Sequence, residues 1–500
     1  MDVSHSPAAL RGGELARAAR RARGALPGPD SVWWLVALGA AFTAAELLSV
    51  SPWMGLSWDE VVYVSQVSGN GPAAWFDPAR ARGVPLLVAP VAALTGSVVA
   101  LRVYLSVASG LGLVLALWTW RGLRPAWVLG LAGAAFGGLW VTQYYGPQAM
   151  PDMWSALGGL ASVGCFLRWA KGAARWALGG LGASVAFVTL VRPGDAVFLA
   201  APLTVAAVVV WRRWQLAATV LSGLLAGGAE WVIEAYARFG GITARLHAAG
   251  AEQGGFGLHF ALLDELRAVN GPTLCRPCTI GVRDPELDLW WFLLPVLVAL
   301  GILAARRAGE LRSALLPAVC GLCVAAQYLF MINYAAPRFL LPVYALAAIP
   351  VAGGLAFLVT GAAGRDMRPA MAAVVTCVLA AQLVVQHAVL DHEAGGTVRF
   401  HDDYTRIAAS LAHRGIRPPC LVSGVQYIPV AFYARCASAG SAVPGEHVAL
   451  LVRAGRRPPP YARNWAAYRI SGTRILKVNA YIRSPAAPVR RSTGASPGRG

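Results

Sequence analysis

The chain has 500 residues, of which 57% are hydrophobic and only 13% are charged. Soluble domains typically carry about 25% charged residues, so this composition argues against a soluble globular protein and predicts a large lipid-facing surface. In a soluble protein the formal net charge of +19 would suggest a nucleic-acid partner. Here the basic residues lie mainly in short gaps between apolar runs and in the tails, without interleaved aromatic residues, so nucleic acid is excluded as a partner.

Long apolar runs recur along the chain. Runs of roughly 17 to 25 residues are long enough to cross a bilayer as helices, and the sequence predicts about eleven of them. They cover residues 32–50, 101–120, 126–143, 152–168, 176–191, 196–211, 215–236, 289–305, 313–333, 339–360 and 369–389. The fifth and sixth could instead form one re-entrant pair around Arg192-Pro193. The predicted fold is an α-helical polytopic membrane protein with a transmembrane domain over 31–390.

The short loops between these helices predict the orientation of the chain. Lys and Arg are enriched in cytoplasmic loops, so the basic N-terminal tail, 1–30, is predicted to be cytoplasmic. Counting helices from there places basic loops such as the one with Arg121 and Arg124 on the same side. The long loops 51–100 and 237–288 then lie outside with the C-terminus and most acidic residues. Long loops carry function more often than short ones, so the working face is predicted to be extracytoplasmic.

The C-terminal tail is predicted to contain a small extracytoplasmic α/β domain over 391–483. Helical spacing covers 403–415, apolar runs after Cys420 predict strands, and a hairpin is expected around Ser471-Gly472-Thr473. The Pro-, Arg-, Ser- and Gly-rich segment 484–500 is predicted to be disordered.

Four cysteines lie in predicted outer segments, where disulfides are permitted. Cys420 and Cys436 flank one compact unit of the tail, so a disulfide is predicted between them. Cys275 and Cys278 form Cys-Arg-Pro-Cys, but lack the βαβ context of a redox motif and the second ligand pair of a zinc site. They are interpreted as a local disulfide or as two idle thiols.

Two adjacent carboxylates follow the first predicted helix on the outer side, in Trp58-Asp59-Glu60-Val61-Val62-Tyr63. Ionisable residues at a membrane face are costly and often functional. Adjacent carboxylates can raise one another's pKa, which suits a general base. The alternative is an ordinary solvated loop that carries two surface acids.

Further charged residues recur at the outer ends of predicted helices. Asp152 opens the fourth helix, where it either complements the helix dipole or supplies a second acid to a shared cavity. Arg192 lies between the fifth and sixth helices, in Val191-Arg192-Pro193-Gly194-Asp195. Arg338 opens the tenth helix, where an outer arginine breaks the inside-positive pattern. It either pairs with a lipid-linked phosphate or reaches to lipid headgroups.

In their order and spacing, these segments resemble the GT-C superfamily of membrane glycosyltransferases, which includes protein O-mannosyltransferases and aminoarabinose transferases. The resemblance spans roughly residues 30–435. It rests on Asp59-Glu60 with Tyr63, Gly83-Val84-Pro85-Leu86-Leu87, Leu94-Thr95-Gly96-Ser97 leading into Arg102, Asp152, Arg192-Pro193 and Arg338-Phe339-Leu340-Leu341-Pro342. It implies a GT-C-like fold and an inverting transfer of a sugar, hexose or pentose, from a polyprenyl-phosphate donor to an extracytoplasmic acceptor.

The resemblance also implies roles for individual residues. Asp59 is the expected catalytic base, and Glu60 is the competing candidate. Asp152, with Tyr63, would support the acceptor or a cation. Three arginines would bind the donor phosphate and stabilise the leaving charge. These are Arg338, Arg192 and Arg102.

The expected partners are the polyprenyl-phosphate-linked sugar, an envelope glycan, lipid or protein as acceptor, and membrane lipids. The Ala-, Arg- and Gly-rich composition is typical of a GC-rich bacterial genome, which predicts the plasma membrane as the location. The sequence assigns no cofactor, because the second acidic segment has one carboxylate rather than a pair and no DxD-type metal motif is present. A divalent cation, if one is bound, would lie between Asp59 and Asp152.

Two other functions stay open from the sequence. One is a transporter or flippase of lipid-linked or envelope substrates, and the other is an inactive GT-C-like scaffold. Transporters often contain repeats and broken helices with polar residues near the bilayer midplane. The two halves of this chain show no convincing repeat and the acids cluster at one face, which favours the enzyme.

Overall fold

The computed structural model describes residues 32–172, 174–255, 257–282, 284–362, 365–439 and 447–483. The predicted N-terminal tail and the predicted disordered segment 484–500 lie outside the described residues.

The described residues are predominantly helical. The first half contains α1 (Trp33–Ser49), α2 (Trp58–Val64), α3 (Gly83–Ala92), α4 (Val98–Trp118), α5 (Ala126–Gly137), α6 (Trp140–Tyr145), α7 (Pro151–Ala170), α8 (Trp176–Val191) and α9 (Pro193–Val205), which a π-helical turn (Ala206–Val210) extends. The second half contains α10 (Trp214–Arg238), α11 (Ile242–Glu252), α12 (Leu262–Ala268), α13 (Leu289–Arg307), α14 (Leu311–Phe330), α15 (Leu341–Phe357), α16 (Arg368–His413) and α17 (Tyr427–Ala434).

Seven helices of the described residues are long and apolar enough to cross a membrane. They are α4, α9 with its π-helical extension, α10, α13, α14, α15 and α16. Shorter apolar helices accompany them, namely α1, α3, α5 and α8. Nearly every side chain of α7 is buried, and this helix lies at the centre of the domain against α4, α8 and α15. The fold is therefore an α-helical polytopic membrane protein, and the total of about eleven spans stays a prediction.

The predicted fifth and sixth helices are two separate helices, α8 and α9, joined at Arg192. The residue before a proline is disfavoured in the helical region, and Arg192, with φ −154°, precedes Pro193. α8 has 16 residues and the segment Pro193–Val210 has 18, which correspond to lengths of about 24 and 27 Å. These lengths approach the thickness of a bilayer core and favour two spans over a re-entrant pair.

The predicted third helix, 126–143, is wrong as a single element. α5 ends at Gly137, Leu139 is extended, and α6 begins at Trp140. The N–H of Trp140 donates to Oε1 of Gln386 on α16 at 2.9 Å. This side-chain acceptor replaces the backbone carbonyl that a continuous helix would supply. The break redirects the chain, so that α6 ends beside the outer cavity described below.

Two segments predicted as separate helices, 369–389 and 403–415, belong to one continuous helix. α16 has 46 residues, and the expected boundary between the membrane domain and the tail at 390/391 falls inside it. The residues between these segments are largely polar and include Gly395-Gly396 but no proline, so none of them lacks the backbone N–H that the helix needs. Near its C-terminus, Asp403 accepts hydrogen bonds from three successive backbone N–H groups at 2.7 Å each, those of Arg474, Ile475 and Leu476.

The tail forms the predicted small α/β domain. Its strands are β1 (Cys420–Gly424), β2 (Ala437–Ser438), β3 (His447–Arg453), β4 (Ala466–Arg469) and β5 (Val478–Arg483), in the order β2-β1-β3-β5-β4. β1 is parallel to β2 and β3, whereas β5 pairs antiparallel with both β3 and β4. The β4–β5 pair is the expected hairpin. Cys420 and Cys436 form the predicted disulfide, which ties β1 to the end of α17.

The α/β domain packs back onto the first outer loop. The N–H of Leu56 donates to the hydroxyl of Tyr433 at 2.8 Å. The carbonyl oxygen of Gly55 lies 2.7 Å from Nδ1 of His401 on α16. These contacts hold the tail directly over the start of α2, where the sequence places its acidic pair.

Candidate active site

Asp59, on α2, lies at the wall of a cavity on the side that the sequence predicts to be extracytoplasmic. The hydroxyl of Ser57 accepts from the N–H of Glu60, and the Glu60 carboxylate accepts from the N–H of Ser57, a capping box that fixes the start of the helix. Each carboxylate oxygen of Asp59 then meets one guanidinium, that of Arg80 at 2.6 Å and that of Arg338 at 3.2 Å. The Asp59 side chain is 31% exposed, so this clamped carboxylate stays accessible from the cavity.

The two guanidinium groups decide the charge of Asp59. Burial raises the pKa of this carboxyl, but Arg80 and Arg338 lower it by more, so the pKa of Asp59 lies below its ordinary value. Asp59 is therefore a carboxylate at neutral pH, with both oxygens engaged by cations.

Arg338 also links Asp59 to the second predicted acid. Its Nε lies 3.6 Å from Oδ2 of Asp152, while its Nη2 contacts Asp59. Oδ1 of Asp152 binds Nη1 of Arg192 at 2.6 Å. Asp152 is almost completely buried, and its Oδ2 accepts no hydrogen bond from the described part of the chain. The structure thus brings Asp59, Asp152, Arg192 and Arg338 together, and leaves one carboxylate oxygen free to accept a hydrogen bond.

A second layer of polar contacts fixes the direction of Arg192. Its Nε donates to the hydroxyl of Tyr328 at 2.7 Å and lies 3.4 Å from Oδ1 of Asp195. The Tyr328 hydroxyl donates in turn to Asp195, whose other oxygen accepts from Ser155 at 2.6 Å. Because every member of this network has a partner, Arg192 is held rigidly toward Asp152.

Glu60 and Arg102, both predicted as site residues, form a separate internal ion pair. Arg102 contacts both carboxylate oxygens of Glu60, and both side chains are at most 1% exposed. Arg102 also donates to three backbone carbonyls, those of Met54, Gly55 and Pro147. Glu60 accepts from the N–H groups of Ser57 and Ala149. With these partners, both side chains are buried and neither lines the cavity in front of Asp59.

Arg80 is a site residue that the sequence prediction missed. It is held by Asp77 and lies over the ring of Tyr63, 4.8 Å from the centroid, while it contacts Asp59. Tyr63 therefore supports the site from beneath Arg80. The signal that singled out Arg338, an arginine on the outer side, applies equally to Arg80 and would have found it.

The cavity in front of Asp59 has a volume of about 400 Å³. Pockets for small ligands typically start at about 300 Å³, so this space accommodates a substrate group. Asp59 and Arg338 line it on the side of the helical domain, and the C-terminal half of α16 contributes His392, Thr397 and Phe400. The cavity therefore lies between the membrane domain and the tail.

One rim of the cavity is a short segment of the second long outer loop. The carbonyl of Thr273 accepts from Arg338 and from the hydroxyl of Tyr145, each at 3.4 Å. Cys275 exchanges two backbone hydrogen bonds with Ala335, at 2.9 and 3.2 Å. Cys275 also forms a disulfide with Cys278, so this pair is a local disulfide rather than two idle thiols. The rim is thus fixed directly to the segment that carries Arg338.

Comparisons with solved structures identify the fold. ArnT from Cupriavidus metallidurans bound to undecaprenyl phosphate is 13% identical, with a TM-score of 0.61 over 90% of this chain and 98% of that chain. The oligosaccharyltransferase AglB from Archaeoglobus fulgidus, in complex with an inhibitory peptide and a dolichol-phosphate, is 11% identical, with a TM-score of 0.51 over 81% of this chain and 64% of that chain. Both belong to the GT-C superfamily. The chain has the GT-C fold. At the level of sequence, no protein-family model and no curated protein matches it.

The residues around Asp59 can be compared with the ligand set that a divalent cation requires. Within the described residues, no group of three His, Cys, Asp or Glu side chains is placed to hold a metal ion. Between Asp59 and Asp152, where the sequence would place a cation, the guanidinium of Arg338 contacts both carboxylates. These residues do not fit a metal ion, and a guanidinium supplies the positive charge between the two acids.

Proposed function

We propose that this chain is an inverting glycosyltransferase that moves a sugar from a polyprenyl-phosphate donor to a hydroxyl group of an extracytoplasmic acceptor. The direct contact of Asp59 with Arg338 at a cavity wall carries the proposal, because it joins a candidate base to a candidate phosphate-binding group. Undecaprenyl phosphate bound to ArnT and dolichol-phosphate bound to AglB support a lipid-linked donor for this fold.

In the proposed reaction, the Asp59 carboxylate takes the proton from the acceptor hydroxyl. The acceptor oxygen forms a bond to the anomeric carbon as the bond from that carbon to the phosphate oxygen breaks. Polyprenyl phosphate leaves with the electron pair of the broken bond, and the anomeric carbon inverts because attack and departure occur on opposite faces.

The arginines around Asp59 would also bind the donor phosphate in this reaction. Arg338 and Arg80 present guanidinium groups that bind phosphate oxygens in a two-point manner and stabilise the charge on the leaving group. Arg192, anchored by Tyr328 and Asp195, supports the same side of the site through Asp152. Asp152 itself is buried and does not line the cavity, so its part in the reaction is to hold Arg192 and Arg338 in place.

Donor binding would also activate the base. Without a donor, both oxygens of Asp59 are paired with guanidinium groups, and burial does not overcome their effect on its pKa. A donor phosphate would share those guanidinium groups and add negative charge nearby, which raises the pKa of Asp59. A carboxylate with a higher pKa accepts a proton more readily, so Asp59 would become a competent base only once the donor is bound.

The α16 side of the cavity favours an acceptor that approaches from outside the membrane. It is formed by the polar and aromatic outer part of α16, including Thr397 and Phe400. The acceptor class therefore remains an envelope glycan, a lipid headgroup or a protein, and the sugar a hexose or a pentose.

The test is sugar transfer by the purified full-length protein. Polyprenyl-phosphate mannose, arabinose and glucose with radiolabelled sugars are supplied in parallel with membrane extract as the acceptor source. We expect transfer from one donor, reduced by about 10²- to 10⁴-fold in Asp59→Asn, which keeps the shape of the side chain and removes the base.

The matched control is Asp264→Asn, which neutralises an acid of another Asp–Arg pair at 2.9 Å, with Arg267, away from the cavity. It should transfer at the wild-type rate. Transfer that survives in Asp59→Asn would move the base elsewhere. No transfer from any donor by a folded wild-type protein would favour the transporter or the inactive scaffold.

A further inference from the structure

A second cavity, of about 450 Å³, lies at the other end of the helical domain. It is lined by two tryptophans and three arginines, together with a few apolar side chains. The principal side chains are Trp34, Trp118, Arg121, Arg124 and Arg168. None of these residues takes part in the site around Asp59.

Helix geometry sets the distance between the two cavities. Arg102, near the start of α4, contacts Glu60 directly beneath the Asp59 site. Trp118, which lines the second cavity, ends the same helix 16 residues later. At a rise of 1.5 Å per residue, the two ends lie about 24 Å apart, close to the thickness of a bilayer core.

Aromatic side chains place the second cavity at a membrane surface. Trp34 lines it, and Trp33 and Trp127 are sequence neighbours of lining residues on α1 and α5; all three are more than half exposed. Exposed tryptophans collect at the level of lipid headgroups, where the ring meets both apolar chains and water. Leu35 and Leu129 are buried and give the cavity an apolar floor.

Two of the lining cations differ sharply in how they are held. Arg168 donates to the carbonyls of Thr119 and Arg121, and its guanidinium lies 5.3 Å from the ring centre of Trp176. By contrast, the side chain of Arg124 forms no hydrogen bond or ion pair with any described residue, although it is partly buried. Arg168 is fixed by the fold, whereas Arg124 lacks a partner within the described chain.

The charge on Arg124 is poorly compensated. Burial lowers the pKa of Arg124, and Glu310, the acid that opposes this effect, is itself paired with Lys171. An arginine stays protonated under these conditions, so a cation persists in a partly enclosed space. A charge withdrawn from water is costly unless an anion pairs with it.

We propose that this second cavity binds the phosphate group of an anionic membrane lipid, with Arg124 as the principal contact. Arg121 and Arg168 add positive charge around the phosphate, and a planar guanidinium matches phosphate oxygens in a two-point manner. The exposed tryptophans indicate a lipid as the source of the phosphate. A lipid would contact both the apolar floor and the tryptophans, whereas a soluble phosphate would contact neither.

Binding to the purified full-length protein tests this site. Native mass spectrometry from detergent would measure the affinity of the first bound dioctanoyl phosphatidylglycerol, with dioctanoyl phosphatidylcholine and inorganic phosphate as parallel ligands. We expect phosphatidylglycerol to bind at least about tenfold tighter than phosphatidylcholine, and Arg124→Gln to weaken it by about tenfold or more, as a lost charge-assisted hydrogen bond requires.

Arg312→Gln is the matched control. Arg312 is an exposed arginine that follows the Glu310–Lys171 pair at the same end of the molecule and does not line the cavity. It removes the same charge and should leave the affinity unchanged. Because the Arg124 side chain has no partner among the described residues, Arg124→Gln should also unfold at the wild-type temperature without lipid, which separates lost binding from misfolding.

Three outcomes would overturn the proposal. Equal binding of the two lipids would show that an anionic headgroup is not recognised. Equal loss in Arg124→Gln and Arg312→Gln would reduce the effect to overall charge. Inorganic phosphate that displaces phosphatidylglycerol at the same concentration would assign the cavity to a soluble phosphate instead.

Discussion

Asp59 and Glu60 are neighbours in sequence but have different environments. Consecutive residues of a helix point about 100° apart, so two adjacent acids on α2 cannot face one cavity. Asp59 faces the opening, while Glu60 points inward to Arg102. The two side chains are chemically alike, but one faces the cavity and the other belongs to an internal ion pair.

This division predicts different effects of neutralising each acid. Glu60→Gln leaves Arg102 as a buried charge without its counter-ion, which typically costs about 3 to 5 kcal/mol. We expect a clear fall in the apparent melting temperature, measured by intrinsic fluorescence in detergent, with transfer per folded molecule nearly unchanged. Asp59→Asn should instead lose transfer, while its apparent melting temperature stays close to that of the wild type. A Glu60→Gln protein with wild-type stability and no transfer would contradict this assignment.

The clamp on Asp59 predicts the pH dependence of transfer. The base must be ionised, so activity falls as the pH drops through the pKa of Asp59. An unperturbed aspartate has a pKa of about 3.9. In the donor-free protein the pKa of Asp59 lies below that reference value. We therefore expect kcat/KM for the donor to be constant from about pH 8 down to about pH 5.

In the donor complex the phosphate shares the guanidinium groups, which raises the pKa of Asp59. The acid limb of kcat should consequently lie at higher pH than that of kcat/KM, because kcat reports the complex. Initial rates across this range at saturating and limiting donor measure both limbs. If the acid limbs of kcat and kcat/KM lie at the same pH, the donor does not disturb the contacts of Asp59 with Arg80 and Arg338.

The position of Arg338 between two carboxylates predicts that transfer does not need a divalent cation. A catalytic metal usually contributes several kcal/mol, so removing an essential one would slow transfer strongly. We expect instead that adding EDTA to the purified protein, and then removing the chelate, changes the transfer rate by less than about twofold. Rates restored only by added Mg²⁺ or Mn²⁺ would show that a cation replaces Arg338 at this position in the working enzyme.

Most of the site residues could be predicted from their positions along the chain. Asp152, Arg192 and Arg338 each occupy the outer end of a predicted helix, so a common face brings them together. Which residues pair with which could not be predicted, because side-chain pairing depends on the rotation of each helix about its axis. Arg102 illustrates this limit, since its position near the start of α4 is compatible with either a substrate contact or the internal pair that it forms.

At the scale of elements, long-range contacts decide where helices begin and end. The break between α5 and α6 depends on Gln386, and the single helix α16 depends on packing of its polar middle against the outer loops. The hydrophobic periodicity of the sequence predicted neither the break nor the continuous helix. By contrast, the β4–β5 hairpin follows from local turn residues, and it was predicted correctly.

Asp403 connects two elements and predicts a local stability effect. Its carboxylate accepts three backbone N–H groups from the segment that precedes β5. Asp403→Asn weakens this set by about 2 kcal/mol or more. We expect limited proteolysis to cleave the α/β domain at least about tenfold faster, because cleavage follows the population of the opened form. The neighbouring change Asp402→Asn, which touches none of these groups, should not alter the rate.

At the scale of the whole molecule, the two cavities lie at opposite ends of the helical domain and differ in charge pairing. The outer site balances its arginines with Asp59, Asp77 and Asp152, whereas the second cavity has an arginine without an acid. The excess of basic residues at that end is the pattern from which the sequence predicts a cytoplasmic side. The orientation of the termini follows from the same pattern and stays a prediction.

α16 connects the apolar layer to the cavity beside Asp59. Its 46 residues form a rod about 69 Å long, with one part in the apolar layer and the other forming a wall of the cavity. Helices adjust their tilt when bilayer thickness changes, and a tilt of about 5° displaces the far end of such a rod by about 6 Å. We therefore expect the width of the cavity beside Asp59 to change with bilayer thickness, because one continuous helix joins the apolar layer to the cavity wall.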